Sequence, residues 1–142
     1  MQVRIKRKHP DAVLPQYHTP GSVAFDLAAC EPVVIQKRSL GFIPTGLIIA
    51  TPEGYMLTVV TRSSTPRKKG LSIPHGIGII DQDYCGEEDE IKLLVYNFTD
   101  QDVAVEKGER LGQAVFVKIE KAEWELVEKM DVPTRGGFGS TG

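Results

Sequence analysis

The chain has 142 residues, of which 41% are hydrophobic and 25% charged, which suits one globular domain and excludes a disordered protein. Its formal net charge of −2 argues against a general binder of nucleic acid or of a membrane surface. No apolar run approaches the ~20 residues of a membrane span, and no secretory signal is visible. Two cysteines suit neither a disulfide framework nor a zinc site. We therefore expect a cytoplasmic protein.

Short apolar stretches predict strands along the whole chain. Val and Ile together number 25, against 18 for Leu and Ala, and β-branched side chains favour a pleated sheet. In chain order the predicted strands are VRI (3–5), VVI (33–35), GLIIA (46–50), YMLTVVT (55–61), IGII (77–80), EIKLLVYNF (90–98) and GQAVFVKIE (112–120). Many short strands separated by Gly and Pro predict an all-β sandwich or barrel.

Two segments are candidates for helix. A short helical turn is predicted after Ser64-Thr65-Pro66, because proline suits an early helical position. Residues 121–130 are a second candidate, although Trp124 and Leu126 alternate with glutamates there, a pattern that favours a strand.

Several predicted strands are apolar on both faces. In the strand 55–61, Leu57 and Val59 lie on one face while Met56 and Val60 lie on the other, and the strand 91–98 repeats the pattern. A domain this small has few strands whose two faces are both covered by its own core. We therefore expect an oligomer to cover the second face.

Polar residues follow the predicted strand 55–61 directly, in the stretch TRSST (61–65). The Arg62 guanidinium offers a planar fork of donors suited to phosphate oxygens, and neighbouring hydroxyl groups add further donors. The alternative is a strand end followed by a helix cap, with Ser64 or Thr65 as the capping residue.

A second polar stretch, PHGIGIIDQDYCGE (74–87), predicts a hairpin that ends in an acidic residue. Its backbone groups could bind the edge of a flat base. Asp81, at the end of an apolar strand, stands where a general base or water-positioning group would be placed. The alternative is a turn in which Asp81 and Asp83 bond nearby backbone, with Tyr84 serving only in packing.

Two further stretches carry candidate residues. In KGERLGQAVF (107–116), Arg110 and Gln113 stand beside a strand, and pairing of Arg110 with a carboxylate is the simpler interpretation. The C-terminus, TRGGFGSTG (134–142), has the composition of a disordered tail. A flexible Gly-rich segment can also wrap a polyphosphate through its N–H groups, with Phe138 stacking on a base.

Taken together and in this order, five stretches resemble the motifs of the trimeric dUTP pyrophosphatases (deoxyuridine 5′-triphosphate nucleotidohydrolases). They are VAFDLAA (23–29), TRSS (61–64), GIGIIDQDYCGE (76–87), GERLGQAVF (108–116) and RGGFGSTG (135–142). The resemblance implies an all-β, distorted jelly-roll-like β-barrel (dUTPase-like, or β-clip) with little helix, spanning 1–133, and a flexible Gly-rich arm, 134–142, that closes over the active site. It also implies a homotrimer with active sites at the subunit interfaces.

The resemblance further implies an enzyme that hydrolyses dUTP to dUMP and pyrophosphate, with Mg²⁺ on the triphosphate. Such an enzyme keeps dUTP low and supplies dUMP for dTMP synthesis. Its substrate is a small molecule, and no nucleic acid or membrane partner is expected.

The site residues implied by the resemblance fall into three groups. Asp81 would orient the attacking water, with Ser63 and Gln113 completing the catalytic set. Asp26 would contact the metal through water, while Mg²⁺ is otherwise held by the phosphates. Residues implied to bind substrate are Arg62, Ser63, Ser64, His75, Gly78, Ile79, Ile80, Asp81, Tyr84, Gln113, Arg135, Phe138, Gly139 and Ser140.

Individual substrate contacts follow from the same resemblance. The Tyr84 ring would lie under the deoxyribose and exclude a 2′-hydroxyl. Arg135 would bind the γ-phosphate, and Phe138 would cover uracil. The hairpin backbone would pair with uracil, whereas cytosine presents the reversed donor and acceptor and would leave buried groups unpaired.

The chain departs from the commoner family pattern in three places. The spacing from Arg135 to Phe138 is shorter by two residues. Three extra residues between Gly86 and Asn97 carry the acidic run 87–90, for which we expect a bulge or an extended loop near the base pocket. His75 stands where many relatives have asparagine, and it either bonds the base or shapes the turn.

Three other functions compete with this interpretation. The related deoxycytidine triphosphate deaminases share the fold, but they need a glutamate where this chain has Leu94, three residues before Asn97. A second alternative is a non-catalytic binding or regulatory protein on the same scaffold. A third is a polyphosphate hydrolase without base selection.

Overall fold

The chain forms eleven strands and one short helix in the part of the computed structural model that is described, residues 1–137 and 139. In chain order they are β1 (Ile5–Arg7), β2 (Phe25–Ala28), β3 (Val33–Ile35), β4 (Leu40–Pro44), β5 (Leu47–Ile49), β6 (Tyr55–Thr61), α1 (Thr65–Lys69), β7 (Leu71–Ser72), β8 (Gly78–Ile80), β9 (Lys92–Asn97), β10 (Val103–Val105) and β11 (Arg110–Lys118). The prediction of an all-β chain with little helix is confirmed. Within these ranges no helix is long and apolar enough to cross a membrane.

Six predicted strands and the helical turn after Ser64-Thr65-Pro66 are present, while the first strand, predicted over 3–5, is shifted to Ile5–Arg7. The strands β2, β4, β7 and β10 were not predicted, because they are short or are interrupted by Gly and Pro. Residues 121–130 form neither helix nor strand, so both predictions for this segment are wrong. Every side chain in that segment is exposed, so its alternating pattern buries no face.

The strands pair antiparallel in four sheets around a shared core. The largest sheet has the order β2-β11-β6-β8, the next has the order β4-β9-β7, and two further pairs are β1-β5 and β10-β3. Among the described residues, β8 therefore lies at an edge of the largest sheet, with β6 as its neighbour. This arrangement places the predicted hairpin at the open side of the sheet.

Aliphatic side chains from all four sheets fill the core. The most deeply buried are Leu27, Ile35, Ile43, Leu47, Ile49, Leu57, Leu71, Ile91, Leu93, Val95 and Val105. Gly112 of β11 lets two sheets approach closely, since a Cβ atom there would lie 2.7 Å from Cδ2 of Leu93. The close approach explains why a glycine stands in the middle of a long strand.

The strands predicted to be apolar on both faces differ in how well one chain covers them. Leu93 and Val95 of β9 face the core, whereas Leu94 is only partly buried and Phe98 is exposed. On the neighbouring strand β4, Phe42 is 59% exposed. An uncovered apolar face of this kind agrees with the expected oligomer, which stays a prediction.

Asn97 closes the turn that follows β9. Its side chain is fully buried, and its Nδ2 donates to the carbonyl oxygens of Ile35, at 3.0 Å, and Gln101, at 2.8 Å. Its Oδ1 accepts hydrogen bonds from both the backbone N–H and the hydroxyl of Thr99. Every polar atom of this buried amide is therefore satisfied, and removing it would leave several partners unpaired.

Replacing Asn97 should destabilise the fold strongly. We expect Asn97→Ala to lower the free energy of unfolding by about 3 kcal/mol, because the Ile35 carbonyl and the Thr99 N–H lose the buried amide that pairs with them. Urea unfolding measures the change. Gln101→Ala is the control, since Asn97 uses only the backbone carbonyl of Gln101, and an equal loss in both variants would contradict the role given to the Asn97 amide.

Candidate active site

A β-bulge in β11 determines which side chains meet at one end of the largest sheet. Arg110 pairs with Ala28 of β2, but Gly112 pairs with Leu27, so Leu111 has no counterpart on β2. The extra residue reverses the alternation of side chains. Arg110 and Gln113 are three residues apart and would lie on opposite faces of a regular strand. With the extra residue, both lie on the sheet face of Asp26, which pairs with Gln113 and lies two residues from Ala28.

The carbonyl of the bulged residue also fixes the stretch that follows β6. The Leu111 oxygen accepts the backbone N–H of Arg62 at 3.0 Å and the hydroxyl of Thr65 at 2.8 Å. Both donors flank the two serines of the predicted phosphate-binding stretch. The bulge thus holds this stretch against β11.

Asp26 lies between two arginine side chains and an imidazole. Its Oδ1 is 3.0 Å from Nε of Arg62, and its Oδ2 is 3.1 Å from Nη1 of Arg110 and 3.2 Å from Nε2 of His18. Arg110 also donates to Nε2 of His18 at 2.8 Å, so that nitrogen accepts. Pairing of Arg110 with a carboxylate is confirmed, and His18 is an addition that no sequence motif indicated.

Three further polar residues, Gln113, Ser63 and Ser64, lie at this end of the sheet. Gln113 lies directly between Asp26 and Val60 in the register, and its Nε2 donates to the Thr61 carbonyl at 3.4 Å. Ser63 is exposed, and Ser64 is the helix N-cap but makes no side-chain capping hydrogen bond. Ser64 thus occupies the capping position that the alternative interpretation predicted, but its hydroxyl is left available to a ligand.

Arg62, Ser64 and Arg110 border a cavity of about 350 Å³ with a mainly basic lining. It is lined by Arg62, Ser64, Thr65, Lys68, Lys69, Gly108, Glu109, Arg110 and Leu111. We call Asp26, Arg62, Ser63, Ser64, Arg110 and Gln113 the phosphate cluster, since guanidinium and hydroxyl groups are the donors that phosphate oxygens favour.

The predicted hairpin forms a second group, the hairpin cluster, which comprises residues 75–84. His75 donates through Nδ1 to the Ile77 carbonyl at 2.8 Å, so it shapes the turn, as one of its two predicted roles requires. Gly76 has φ +78°, a conformation that favours glycine. Ile79 is 58% exposed, and Asp81 is exposed at the end of β8.

The acidic run 87–90 forms a compact turn beside this hairpin. Glu90 accepts the Tyr84 hydroxyl on its backbone oxygen at 3.2 Å. Lys6 pairs with Glu87, and Lys8 pairs with Glu88 at 2.6 Å. Two surface ion pairs thereby link the run to the N-terminal segment.

Asp81 of the hairpin cluster and Arg62 of the phosphate cluster lie at opposite ends of β6. Ile80 pairs with Leu57, and Asp81 follows it, whereas Arg62 follows Thr61 at the other end of the strand. At ~3.3 Å per residue, Asp81 and Arg62 are about 20 Å apart along β6. One chain therefore does not bring Asp81 to its own phosphate cluster.

Asp26 has one carboxylate oxygen with unused bonding capacity. Its Oδ2 is buried and makes no hydrogen bond of good geometry, although Arg110 and His18 lie close to it. A water held by a cation could donate to this oxygen. Because two guanidinium groups already balance the charge of Asp26, the surroundings fit contact through water better than direct metal ligation.

The C-terminal residues of the predicted site are described only in part. Arg135 is exposed and lies outside helix and strand, and Gly139 lies in an exposed turn with φ +89°. Phe138 and Ser140 lie outside the described residues.

The all-β fold presents a cavity lined by Arg62 and Arg110, and such a lining suits an anionic ligand. The dUTPase family model matches residues 11–142. A deoxyuridine 5′-triphosphate nucleotidohydrolase of Helicobacter pylori (strain J99) is 40% identical over 144 residues, which cover 100% of this chain and 97% of the relative. The chain belongs to the dUTPase family.

Solved structures confirm the predicted jelly-roll-like fold of the dUTPase type. The crystal structure of dUTPase from Streptococcus mutans superposes with a TM-score of 0.80 at 32% identity, covering 87% of this chain and 100% of that one. A Staphylococcus bacteriophage 80alpha dUTPase with dUPNHPP gives a TM-score of 0.87 at 24% identity, covering 99% and 98%. The second comparison supports the fold alone.

Removing the charge of Asp26 should weaken the fold as well as the site. We expect Asp26→Asn to lower the free energy of unfolding by about 1–2 kcal/mol, because its carboxylate is only 12% exposed and faces Arg62 and Arg110.

Chemical unfolding checks this prediction, with Asp100→Asn as the control. Asp100 pairs with Arg38 at 2.8 Å on the surface, where loss of a pair changes stability by less than about 1 kcal/mol. An unchanged stability of Asp26→Asn would mean that Asp26 serves the ligand and not the fold.

Proposed function

We propose that this chain hydrolyses dUTP to dUMP and pyrophosphate in a Mg²⁺-dependent reaction. The observation that carries the proposal is the phosphate cluster, in which the bulge at Leu111 presents Arg62, Ser63 and Ser64 beside a basic cavity. The products assign the enzyme to nucleotide metabolism, where it keeps dUTP low and supplies dUMP for dTMP synthesis.

The phosphate cluster would bind the triphosphate. Arg62 and the hydroxyls of Ser63 and Ser64 donate to phosphate oxygens, and Gln113 adds a neutral donor from the neighbouring strand. Mg²⁺ would neutralise phosphate charge when bound, with Asp26 touching its hydration shell. Hydrolysis of a triphosphate depends on such charge neutralisation and on an oriented water.

The hairpin cluster would recognise the nucleoside. Because β8 is an edge strand, the backbone groups of Gly78, Ile79 and Ile80 that do not pair with β6 can bond the edge of uracil. A cavity of about 390 Å³ lies beside the hairpin and is lined in part by His75 and Gly78. The Tyr84 ring would lie under the sugar.

Asp81 would act on the attacking water. A carboxylate accepts a hydrogen bond from water and can take up the proton that the water releases as it attacks the triphosphate. The exposure of Asp81 at the end of β8 leaves it accessible to a substrate bound across two chains.

The separation of the two clusters supports a homotrimer with shared sites. Asp81 and Arg62 lie about 20 Å apart along β6, so the hairpin of one chain would meet the phosphate cluster of a neighbour. The arm 134–142 would close over the nucleotide, with Arg135 on a phosphate, Phe138 over uracil, and Gly139 and Ser140 near the phosphates. Such closure excludes water other than the nucleophile.

The competing functions make different predictions. Leu94, at the position where the deaminases need a glutamate, has a hydrocarbon side chain that cannot transfer a proton. A general polyphosphate hydrolase would leave the hairpin backbone without a role in selection.

Parallel assays with dUTP, UTP, dCTP and dTTP test the reaction. We expect Mg²⁺-dependent pyrophosphate release from dUTP alone, with dUMP as product. Conversion of dCTP to a uracil nucleotide would support the deaminase function, and no turnover of any substrate would support a binding protein.

Asp81→Asn should lower the dUTP rate by at least ~10²-fold without changing unfolding or nucleotide binding. Unchanged turnover would remove Asp81 as the catalytic carboxylate.

Mixing two inactive variants tests whether chains share sites. Chains with Asp81→Asn keep an intact phosphate cluster, and chains with Arg62→Ala keep an intact hairpin cluster. If each site draws its two clusters from different chains, equal mixtures assembled together should recover about a quarter of wild-type activity, since each cluster comes from the intact variant about half the time.

The control replaces Arg62→Ala by a chain that carries both substitutions and therefore has neither cluster intact. That mixture should stay inactive. Activity in the first mixture no higher than in its separate components would contradict the shared site.

A further inference from the structure

We propose that Glu90 is a positioning residue for sugar selectivity, which holds the phenol of Tyr84 in the place where its ring excludes a 2′-hydroxyl. The inference deepens the proposed function and rests on it, because Tyr84 meets the sugar only if the chain binds a nucleotide as described. Glu90 belongs to the acidic run that distinguishes this chain from the commoner family pattern.

The contact between Tyr84 and Glu90 fixes the far end of the ring. The Tyr84 hydroxyl donates to the Glu90 backbone oxygen at 3.2 Å. The backbone N–H of Tyr84 donates to the Asp81 carbonyl at 3.4 Å. The side chain is otherwise 41% exposed. The packing around it is therefore incomplete, and the hydroxyl contact limits how far the ring can move away from a ligand.

Glu90 is itself tied to the core. Its Oε1 accepts the Gly46 backbone N–H at 2.8 Å, and its carboxylate is only 11% exposed. The next residue, Ile91, donates its N–H to the Leu47 carbonyl at 2.9 Å and accepts the Thr45 hydroxyl at 2.6 Å. The oxygen that receives the Tyr84 hydroxyl is thus part of a segment bound firmly to the start of β5.

The rest of the acidic run closes the turn between these two points. Asp89 accepts the Gly86 N–H at 2.7 Å through Oδ2, and the Glu90 N–H donates to the Glu88 carbonyl at 2.8 Å. The hydrogen bond from Lys8 lowers the pKa of Glu88, and the same bond raises the pKa of Lys8. Both groups are therefore charged near neutral pH, but the pair is exposed and its effect is screened by salt.

Selectivity against a ribonucleotide requires that the Tyr84 ring keep its position when a sugar with a 2′-hydroxyl approaches. A 2′-hydroxyl adds one oxygen to the substrate, and a small displacement of a loosely held tyrosine would make room for it. A ring held at both ends rejects that oxygen by overlap, since the displacement would first break the bond to Glu90.

The experiment measures kcat/KM for dUTP and for UTP in wild type and in Glu90 variants. We expect Glu90→Ala to lower the preference for dUTP about tenfold, chiefly through a lower KM for UTP, with kcat for dUTP nearly unchanged. Glu90→Gln should restore the wild-type preference, because an amide oxygen can accept the same Gly46 N–H. Loss of preference in both variants, or in neither, would overturn the proposal.

A double-substitution cycle shows whether Glu90 acts through Tyr84. Tyr84→Phe keeps the ring and removes the hydroxyl, so we expect it to lower the preference to a similar degree. The combination of Tyr84→Phe with Glu90→Ala should lower the preference no further. Additive effects would mean that Glu90 does not act through the Tyr84 hydroxyl.

Asp102→Ala is the matched control for a general loss of stability. The Asp102 carboxylate accepts the Lys37 backbone N–H at 2.8 Å, as Glu90 accepts that of Gly46, but in a different turn. It should lower the unfolding temperature as Glu90→Ala does and leave the preference for dUTP unchanged. If Asp102→Ala also changes the preference for dUTP, the effect of Glu90→Ala arises from lost stability and not from the position of Tyr84.

Binding of nonhydrolysable dUTP and UTP analogues separates this proposal from the proposed reaction. If wild type binds the deoxy analogue preferentially but does not hydrolyse dUTP, the proposed reaction is contradicted and the role of Glu90 is not. The Glu90 variants are then compared by their binding of the two analogues. Wild type that binds the two analogues equally would overturn the positioning role.

Discussion

The carbonyl oxygen of Leu111 is the group on which the phosphate cluster depends. It accepts both the Arg62 N–H and the Thr65 hydroxyl, so one acceptor holds both ends of the serine-containing stretch. The same extra residue turns Arg110 onto the face of Asp26. A single insertion in β11 therefore places the Arg110 guanidinium of β11 and that of Arg62, the residue after β6, around one carboxylate, with no long loop required to bring them together.

The edge position of β8 has the complementary role for the nucleoside. An edge strand normally needs protection from unintended pairing, and here the exposed Ile79 and the unpaired backbone would be covered by a bound base and a neighbouring chain. Strand β6 lies between this edge and β11, so both halves of the proposed site are built on one sheet.

The sequence predicts the elements whose signal lies within a few consecutive residues, namely most strands and the short helix. The apolar runs located six strands, and Pro66 located α1. The bulge at Leu111 could not be predicted, because a shift of one residue changes neither composition nor alternation enough to be seen. His18 lies in an irregular segment, and the pairing of Lys8 with Glu88 joins residues 80 positions apart, so neither left a local signal.

The distance between the two ends of β6 makes catalysis, in the proposed enzyme, a property of the assembly and not of the polypeptide. Activity per chain would then fall on dilution, as the trimer dissociates, even though each chain remains folded. A cell that makes little of the protein would lose more than a proportional share of its dUTP hydrolysis. A defective chain would also inactivate sites that it shares with intact neighbours.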